Sequence, residues 1–461
     1  MSLEEVKSRV TVVSEEKGTP PECPDVELID KDVDGGYAWV VVFSAFLLTF
    51  STWGLNSAYG IYFAYYVNSN HFPGARVIDY AAVGGISFGV GLSFSPVVNF
   101  IQGKIGTKAT ILLGNCMQFA SLIMASFAVN LWQLYLTQGL LQSFGMCFIS
   151  LPAMTIVTPW FRRKRVLANA ISVTGSGVGG LVFVLSIQKV IETRGVHWAL
   201  RAQAIISAVL VLLAAVLIRT KNKQHHIEFT VVDKAVAQCV GFWIYCFYLV
   251  TSMLGYVVVM YSLADFTISL GYTSNQGAIV SAMLQVGFCI GRPLAGFLAD
   301  RLGSITVTTI SYFMAAIFTF GIWVPAKNFA TAVALGLLEG IFMGTVFPTS
   351  ASNIIRIVGM RKLNVAFCMS WFFFAVSALF SQLIGSSLTS GSSGGEYRNT
   401  AIFAGACFLG AGLSTLILRG YIAARDRQSV SAEAQDNNEM DNFVPPLEAF
   451  KYCFKWTKRR V

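Results

Sequence analysis

Two ionisable residues stand where charge is costly. Arg292 lies in SAMLQVGFCIGRPLAGFLAD and Glu339 in ALGLLEGIFMGTVFP, each deep within an apolar stretch. A guanidinium keeps its proton near neutral pH, so at such a depth it must be paired or solvated. Its planar fork matches a carboxylate with two parallel hydrogen bonds, which makes Arg292 a candidate anion-binding residue. A structural ion pair is the alternative. Glu339 offers the complementary chemistry, because a carboxyl at apolar depth can carry a proton or neutralise Arg292. Asp265 and Lys189 fall near the ends of their apolar stretches, where snorkelling to the surface is the simpler account. No nucleotide-binding loop, nucleophile arrangement or metal-ligand spacing accompanies these residues. Neither enzymatic activity nor a cofactor or metal is expected.

The elements that must position these side chains are membrane helices. Of the 461 residues 55% are hydrophobic and 12% charged, against roughly 25% charged in a soluble domain. Apolar runs of about 20 residues, enough to cross a bilayer, recur at roughly 39–63, 80–101, 108–129, 131–157, 166–190, 199–218, 238–266, 275–299, 304–325, 330–354, 363–389 and 400–420. The pattern predicts an all-α membrane protein of twelve transmembrane helices. Its divisions are an N-terminal tail (1–33), a six-helix bundle (34–218), a central loop (219–237), a second bundle (238–421) and a C-terminal tail (422–461). The first tail is polar and proline-bearing, with no apolar core of a cleavable signal. The last residues, FKYCFKWTKRRV, suit either an anionic membrane surface or a solvated tail. The nine cysteines are scattered, seven of them in apolar segments, which argues against a disulfide framework.

Alternate loops differ in charge. One set carries Lys104, Lys108, Arg162, Arg163, Lys164, Arg165, Arg219, Lys221, Lys223, Lys234, Arg301, Arg356, Arg361 and Lys362; the other only Arg76, Arg194, Arg201, Lys327 and Arg398. The first set is expected to face the cytoplasm, with both termini. The net charge of +9 is thus better explained by orientation in a bilayer than by nucleic acid. The two halves also repeat. Adding 197 turns Gly106 into Gly303, Gly139 into Gly336 and Pro96 into Pro293, and NFIQGKIG becomes GFLADRLG. Such repeats are common in secondary transporters, whose substrate site lies between the halves. Arg292 and Glu339 break the symmetry, since their counterparts are the neutral Ser95 and Gln142. Within WFRRKRVLANAISVTGSGVGG, Ser172, Ser176 and Gly179/Gly180 recur at three- to four-residue spacing and predict a face for close helix packing.

GFLADRLG, with Asp300 and Arg301 at helix ends, resembles the loop signature of the major facilitator superfamily. That resemblance implies the superfamily fold and a bridging role for the pair in one access state. Asp34-Gly35-Gly36-Tyr37-Ala38-Trp39 and Trp160-Phe161-Arg162-Arg163-Lys164-Arg165 together resemble the two signatures of its monocarboxylate transporter family, in its fungal branch. Elementary physics also gives these motifs plainer roles. Asp34 can cap a helix start, and Tyr37 and Trp39 suit the membrane interface. The family places an Arg-Pro in the eighth helix, as at Arg292-Pro293, and a cavity-lining tenth helix, which bears Glu339 here. It also places an Asp one turn before that Arg and a Lys in the first helix. Here Phe288 and, at the nearest match, Ser57 stand in those places.

Proton–lactate symport by the family's mechanism therefore lacks two of its three groups. Asn56, Ser57 and Tyr59 would form a neutral hydrogen-bonding wall instead. The expectation is a secondary transporter that moves a small organic solute, an organic anion, by alternating access, with the bilayer and the solute as partners and protons as candidate co-substrate. Vitamin uptake of the riboflavin kind, metabolite export and a non-transporting sensor are the alternatives. The plasma membrane is the expected location, with a vacuolar or other internal membrane as the alternative.

Overall fold

A computed structural model describes residues 35–69, 72, 74–161, 165–219, 233–359, 362–390 and 397–431. The apolar stretches are helical because a bilayer offers no water to backbone N–H and C=O groups, and a helix pairs them within one segment. Among the described residues, eleven helices are long and apolar enough to cross a membrane: α1 Tyr37–Ser69, α3 Thr107–Ala125, α4 Leu131–Met154, α5 Val166–Arg194, α6 Val196–Leu217, α7 Val240–Ser269, α8 Ser274–Leu302, α9 Ser304–Trp323, α10 Phe329–Val358, α11 Val365–Thr389 and α12 Arg398–Asp426. The twelfth, α2, is the bent pair Val77–Ser93 and Ser95–Ile105, whose axes differ by 53°. No strand occurs among the described residues. Large apolar side chains such as Trp198, Val209, Val216 and Phe247 point outward, as a lipid-facing surface requires.

Small residues set the packing of α5. Gly175 meets the backbone of Phe46 and Gly179 that of Phe50, both on α1, while Gly177 and Gly180 meet Cys289 and Gln285 on α8. A Cβ on Gly54 would come within 2.8 Å of the Gly179 backbone. The helix carrying the expected packing face is thus wedged between one helix of its own half and one of the other. Thr49 Oγ1 seals the first contact by donating to Ser172 O at 2.5 Å.

The repeat is visible in three dimensions. Gly106 and Gly303 end α2 and α8 with φ of 86° and 98°, a conformation that only glycine adopts without strain. The halves differ at Pro96 and Pro293. In α2 the chain breaks at Phe94 and Pro96 sits in the first turn of a new helix, whereas α8 runs unbroken through Pro293.

The C-terminal helix continues to Ser431, ten residues past the expected end at 421. Arg425, buried there, donates to Ile357 O at 2.9 Å and Arg356 O at 2.6 Å, carbonyls of the last turn of α10. Arg356 in turn pairs with Asp426 at 3.0 Å. The N-terminal tail, most of the central loop and residues 432–461 lie outside the described residues.

Candidate functional site

The end of the bundle that carries the basic loops holds a cavity of about 270 Å³. Thr49, Asn99, Gln102, Asn169 and Ser172 line it from the first half, and Phe347, Ser350, Phe367 and Cys368 from the second. Among the described lining residues its polar groups are hydroxyls, amides and the Cys368 thiol, with no carboxylate or cation.

Arg292 lies one layer behind this cavity and is 2% exposed. Its Nη1 donates to Val173 O on α5 at 2.9 Å and also to Ser176 Oγ. Its Nη2 donates to Tyr256 Oη on α7 at 3.4 Å. Val173 and Phe347 belong to the cavity wall, and the Phe347 ring centroid is 5.1 Å from the guanidinium carbon. Phe288 stands where the sequence resemblance implies an acid. Its ring stands 4.4 Å from the guanidinium, so a π face occupies the place of a carboxylate. Nε has no partner. Among the described residues, neutral groups alone hold this guanidinium.

Glu339 does not pair with Arg292 in this structure. It is fully buried on α10 and accepts from Thr319 Oγ1 on α9 at 2.6 Å, while Oε2 has no partner. Helices α9 and α10 belong to the same half, so this is a contact within one bundle. Gln142 at the matching place accepts from Ser121 Oγ on α3 at 2.9 Å. In place of the ion pair that was one reading of Glu339 stands a clasp between neighbouring helices that also exists, in neutral form, in the first half.

The expected neutral wall divides. Asn56 and Tyr59 border a cavity of about 10 Å³ inside the first half, lined also by Tyr62, Ser87, Gln138 and Gln203. Asn56 Oδ1 accepts from Ser87 Oγ at 3.3 Å, and Tyr59 Oη donates to Tyr80 O at 2.6 Å. Ser57 instead turns toward the other half, with Oγ 3.9 Å from Met260 Sδ. None of the three lines the larger cavity.

Asp265, read as a snorkelling residue, joins the halves. At the end opposite the basic loops its Oδ1 accepts from Asn68 Nδ2 of α1 at 3.3 Å, and Oδ2 accepts from Tyr397 Oη beside α12. Close approaches of Gly85 to Leu379 O and Gly89 to Ala375 O hold α2 against α11 in the same region. The halves are therefore closed at that end.

The signature segments meet each other. Tyr37 and Trp160 rings lie 6.0 Å apart, Trp39 and Phe161 5.3 Å. Tyr37 Oη donates to Leu217 O at 2.8 Å, which ties the start of α1 to the end of α6. Gly36 begins α1 with φ 55°, and the Gly35 carbonyl accepts from Ala38 N at 3.1 Å. Asp34 and Arg163 lie outside the described residues, and only the backbone of Arg165 is described. Asp300 accepts a hydrogen bond from the backbone of Leu167 on α5 and so spans the halves, whereas Arg301 lies over the ring of Phe297, 4.2 Å away on its own helix.

A family model described as Major Facilitator Superfamily matches residues 41–235 and 245–455. The chain is 44% identical over 437 residues, 93% of its length and 92% of the relative's, to a Saccharomyces cerevisiae protein named Probable transporter MCH2. It is 24% identical over 377 residues, 80% of its length and 83% of the relative's, to the Agnestins efflux protein AgnL12 of Paecilomyces divaricatus. Among solved structures it is similar to the Major Facilitator Superfamily transporter FucP in the outward conformation, with a TM-score of 0.59 over 82% of this chain and 99% of that one. At 15% identity that likeness is one of fold.

Proposed function

The chain belongs to the Major Facilitator Superfamily, and from that premise we propose that its cargo is a small organic anion, carried by alternating access in the manner of the monocarboxylate porters. One observation carries the reading. Arg292 is a permanent cation at membrane depth, held only by neutral groups and separated from the cavity by a single ring. A carboxylate entering from the cavity would complete its pairing with a bidentate bond. With the basic loops taken as cytoplasmic, the cavity faces inward and the Asp265 end is the closed outer gate. A volume of about 270 Å³ lies at the lower edge of ligand pockets, which favours a small acid over a solute of riboflavin size. Glu339, clasped within one half, supports helix packing, and transport need not pass a proton through it. Export is a second reading, favoured by the inward cavity and by the relative named as an efflux protein.

Uptake and efflux in reconstituted vesicles with labelled organic acids test the proposal. Arg292→Lys keeps the charge but loses the fork. It is expected to remain in the membrane while the apparent constant for the acid rises at least several-fold. Unchanged transport in Arg292→Lys and Arg292→Ala would remove the anion site from Arg292.

A further inference from the structure

We propose that the indoles of Trp53 and Trp371 form a second subsite, which takes an oxygen acceptor on the solute at a distance from the carboxylate held by Arg292. The inference rests on the anion reading above and names the class of anion. Two rings, Phe347 and Phe367, form part of the cavity wall. Behind Phe347 lie Arg292 and Trp53, the latter with its ring centroid 5.2 Å away. Behind Phe367 lies Trp371, stacked on it at 4.8 Å and 23°. The two indoles are 6.4 Å apart, one on α1 and one on α11, so they come from opposite halves. They are 6% and 1% exposed.

Neither indole Nε1 has a hydrogen-bond partner, and neither does Arg292 Nε. Buried donors in folded proteins are nearly always paired. Indole and guanidinium N–H groups only donate, so the missing partners are acceptors. Three unmet donors thus lie one ring behind the cavity wall, on α1, α8 and α11. A carboxylate answers the arginine. The indoles call for a second oxygen, and because Arg292 and Trp53 both touch Phe347, one short solute can reach both. The subsite fits a carboxylate that bears a keto or similar oxygen a few carbons along its chain. An acceptor shared by indoles of opposite halves makes its full set of contacts only while α1 and α11 keep this approach. Such a contact, stronger in one state than in another, is what a solute needs in order to shift the conformational equilibrium.

The test is direct binding to the purified full-length protein in lipid nanodiscs, by calorimetry and by the rise in melting temperature. The probes are pentanoate and 4-oxopentanoate, which differ by one ketone oxygen. A site built to hydrogen-bond that oxygen rejects the analogue without it, so 4-oxopentanoate is expected to bind at least about tenfold more tightly. Trp53→Phe and Trp371→Phe each keep a ring and lose the N–H. Either is expected to bring the ratio of 4-oxopentanoate to pentanoate affinity down toward one; the two exchanges lie in different halves, so one serves if the other does not assemble. Equal binding of the two acids, or a preference that survives both exchanges, overturns the subsite while the anion reading stands, provided Arg292→Lys weakens pentanoate. If neither acid binds, or Arg292→Lys changes the binding of neither, the anion reading itself fails and the subsite falls with it.

Discussion

The two halves of the molecule place different chemistry on the same scaffold. At positions related by 197 residues, the first half has Ser95 and Gln142 and the second has Arg292 and Glu339. Gln142 and Glu339 make the same kind of contact, each accepting a hydroxyl from the preceding helix. The scaffold places a polar clasp at that point in both halves, an amide in one and an acid in the other. Ser95 and Arg292 do not correspond in this way. Ser95 Oγ is buried without a partner beside the break in α2, whereas Arg292 reaches across to α5 and α7 from an unbroken helix. One asymmetry is a variation in packing; the other creates a charge between the halves.

The strongest way to break this comparison is to write the first half into the second. Arg292→Ser removes the cation and keeps a residue that the repeat already tolerates. Loss of a buried charged partner costs about 2–5 kcal/mol, so solute flux in vesicles is expected to fall at least about thirtyfold with the amount of protein in the membrane unchanged. If the protein instead vanishes from the membrane, and Glu339→Gln restores both its level and its transport, Arg292 is a structural partner of Glu339.

A change at the closed end has the next largest effect. Asp265→Ala deletes both bonds that join α1 and the α12 edge to α7, each worth about 1 kcal/mol. The closed state should weaken, and a cysteine placed at Ser57 should react several-fold faster with a maleimide added from that side. An unaltered labelling rate would deny Asp265 the role of a latch.

Glu339→Gln should do less. It copies Gln142, so a stability change below about 1 kcal/mol is expected, read as melting temperature in detergent, with solute exchange intact. Should it abolish accumulation driven by a pH gradient while exchange persists, Glu339 carries the coupling proton and the two clasps are not equivalent.

The smallest effect belongs to the loops. Lys362, before α11, pairs with Asp233 at 3.2 Å, before α7. Burial alone would raise the Asp233 carboxyl, but the bond from Lys362 and the backbone N–H groups of Ala235 and Val236 outweigh it and hold the group below its ordinary value of 3.8. A carboxyl lowered on folding adds stability that is complete above its unfolded value and is lost as pH falls through the folded one. The pair is largely solvated, so its share is under about 1 kcal/mol. Asp233→Asn should therefore be less stable than the parent only above about pH 4, and a difference that persisted unchanged below that pH would exclude the pair as its cause.

The helices were legible in the sequence because bilayer burial writes itself along the chain. The expected first span at 39–63 is α1 at 37–69, and the expected eighth at 275–299 is α8 at 274–302. The repeat and the neutral counterparts of Arg292 and Glu339 were equally plain, since a constant offset needs no tertiary information. Contacts between distant helices were not legible. An acid at apolar depth looks the same in sequence whether it faces a cation, a cavity or a threonine, and only the packing of α9 against α10 turned Glu339 toward Thr319. Asp265 had the spacing of a snorkelling residue and became a bridge because Asn68 ends α1 beside it. The indoles of Trp53 and Trp371 carried no signal at all, because their 318-residue separation in the chain becomes 6.4 Å only through the packing of α1 against the other half. Local burial and periodicity determine which segments cross the membrane; which side chains meet at its centre depends on how twelve rigid cylinders pack, and that is a property of the whole fold.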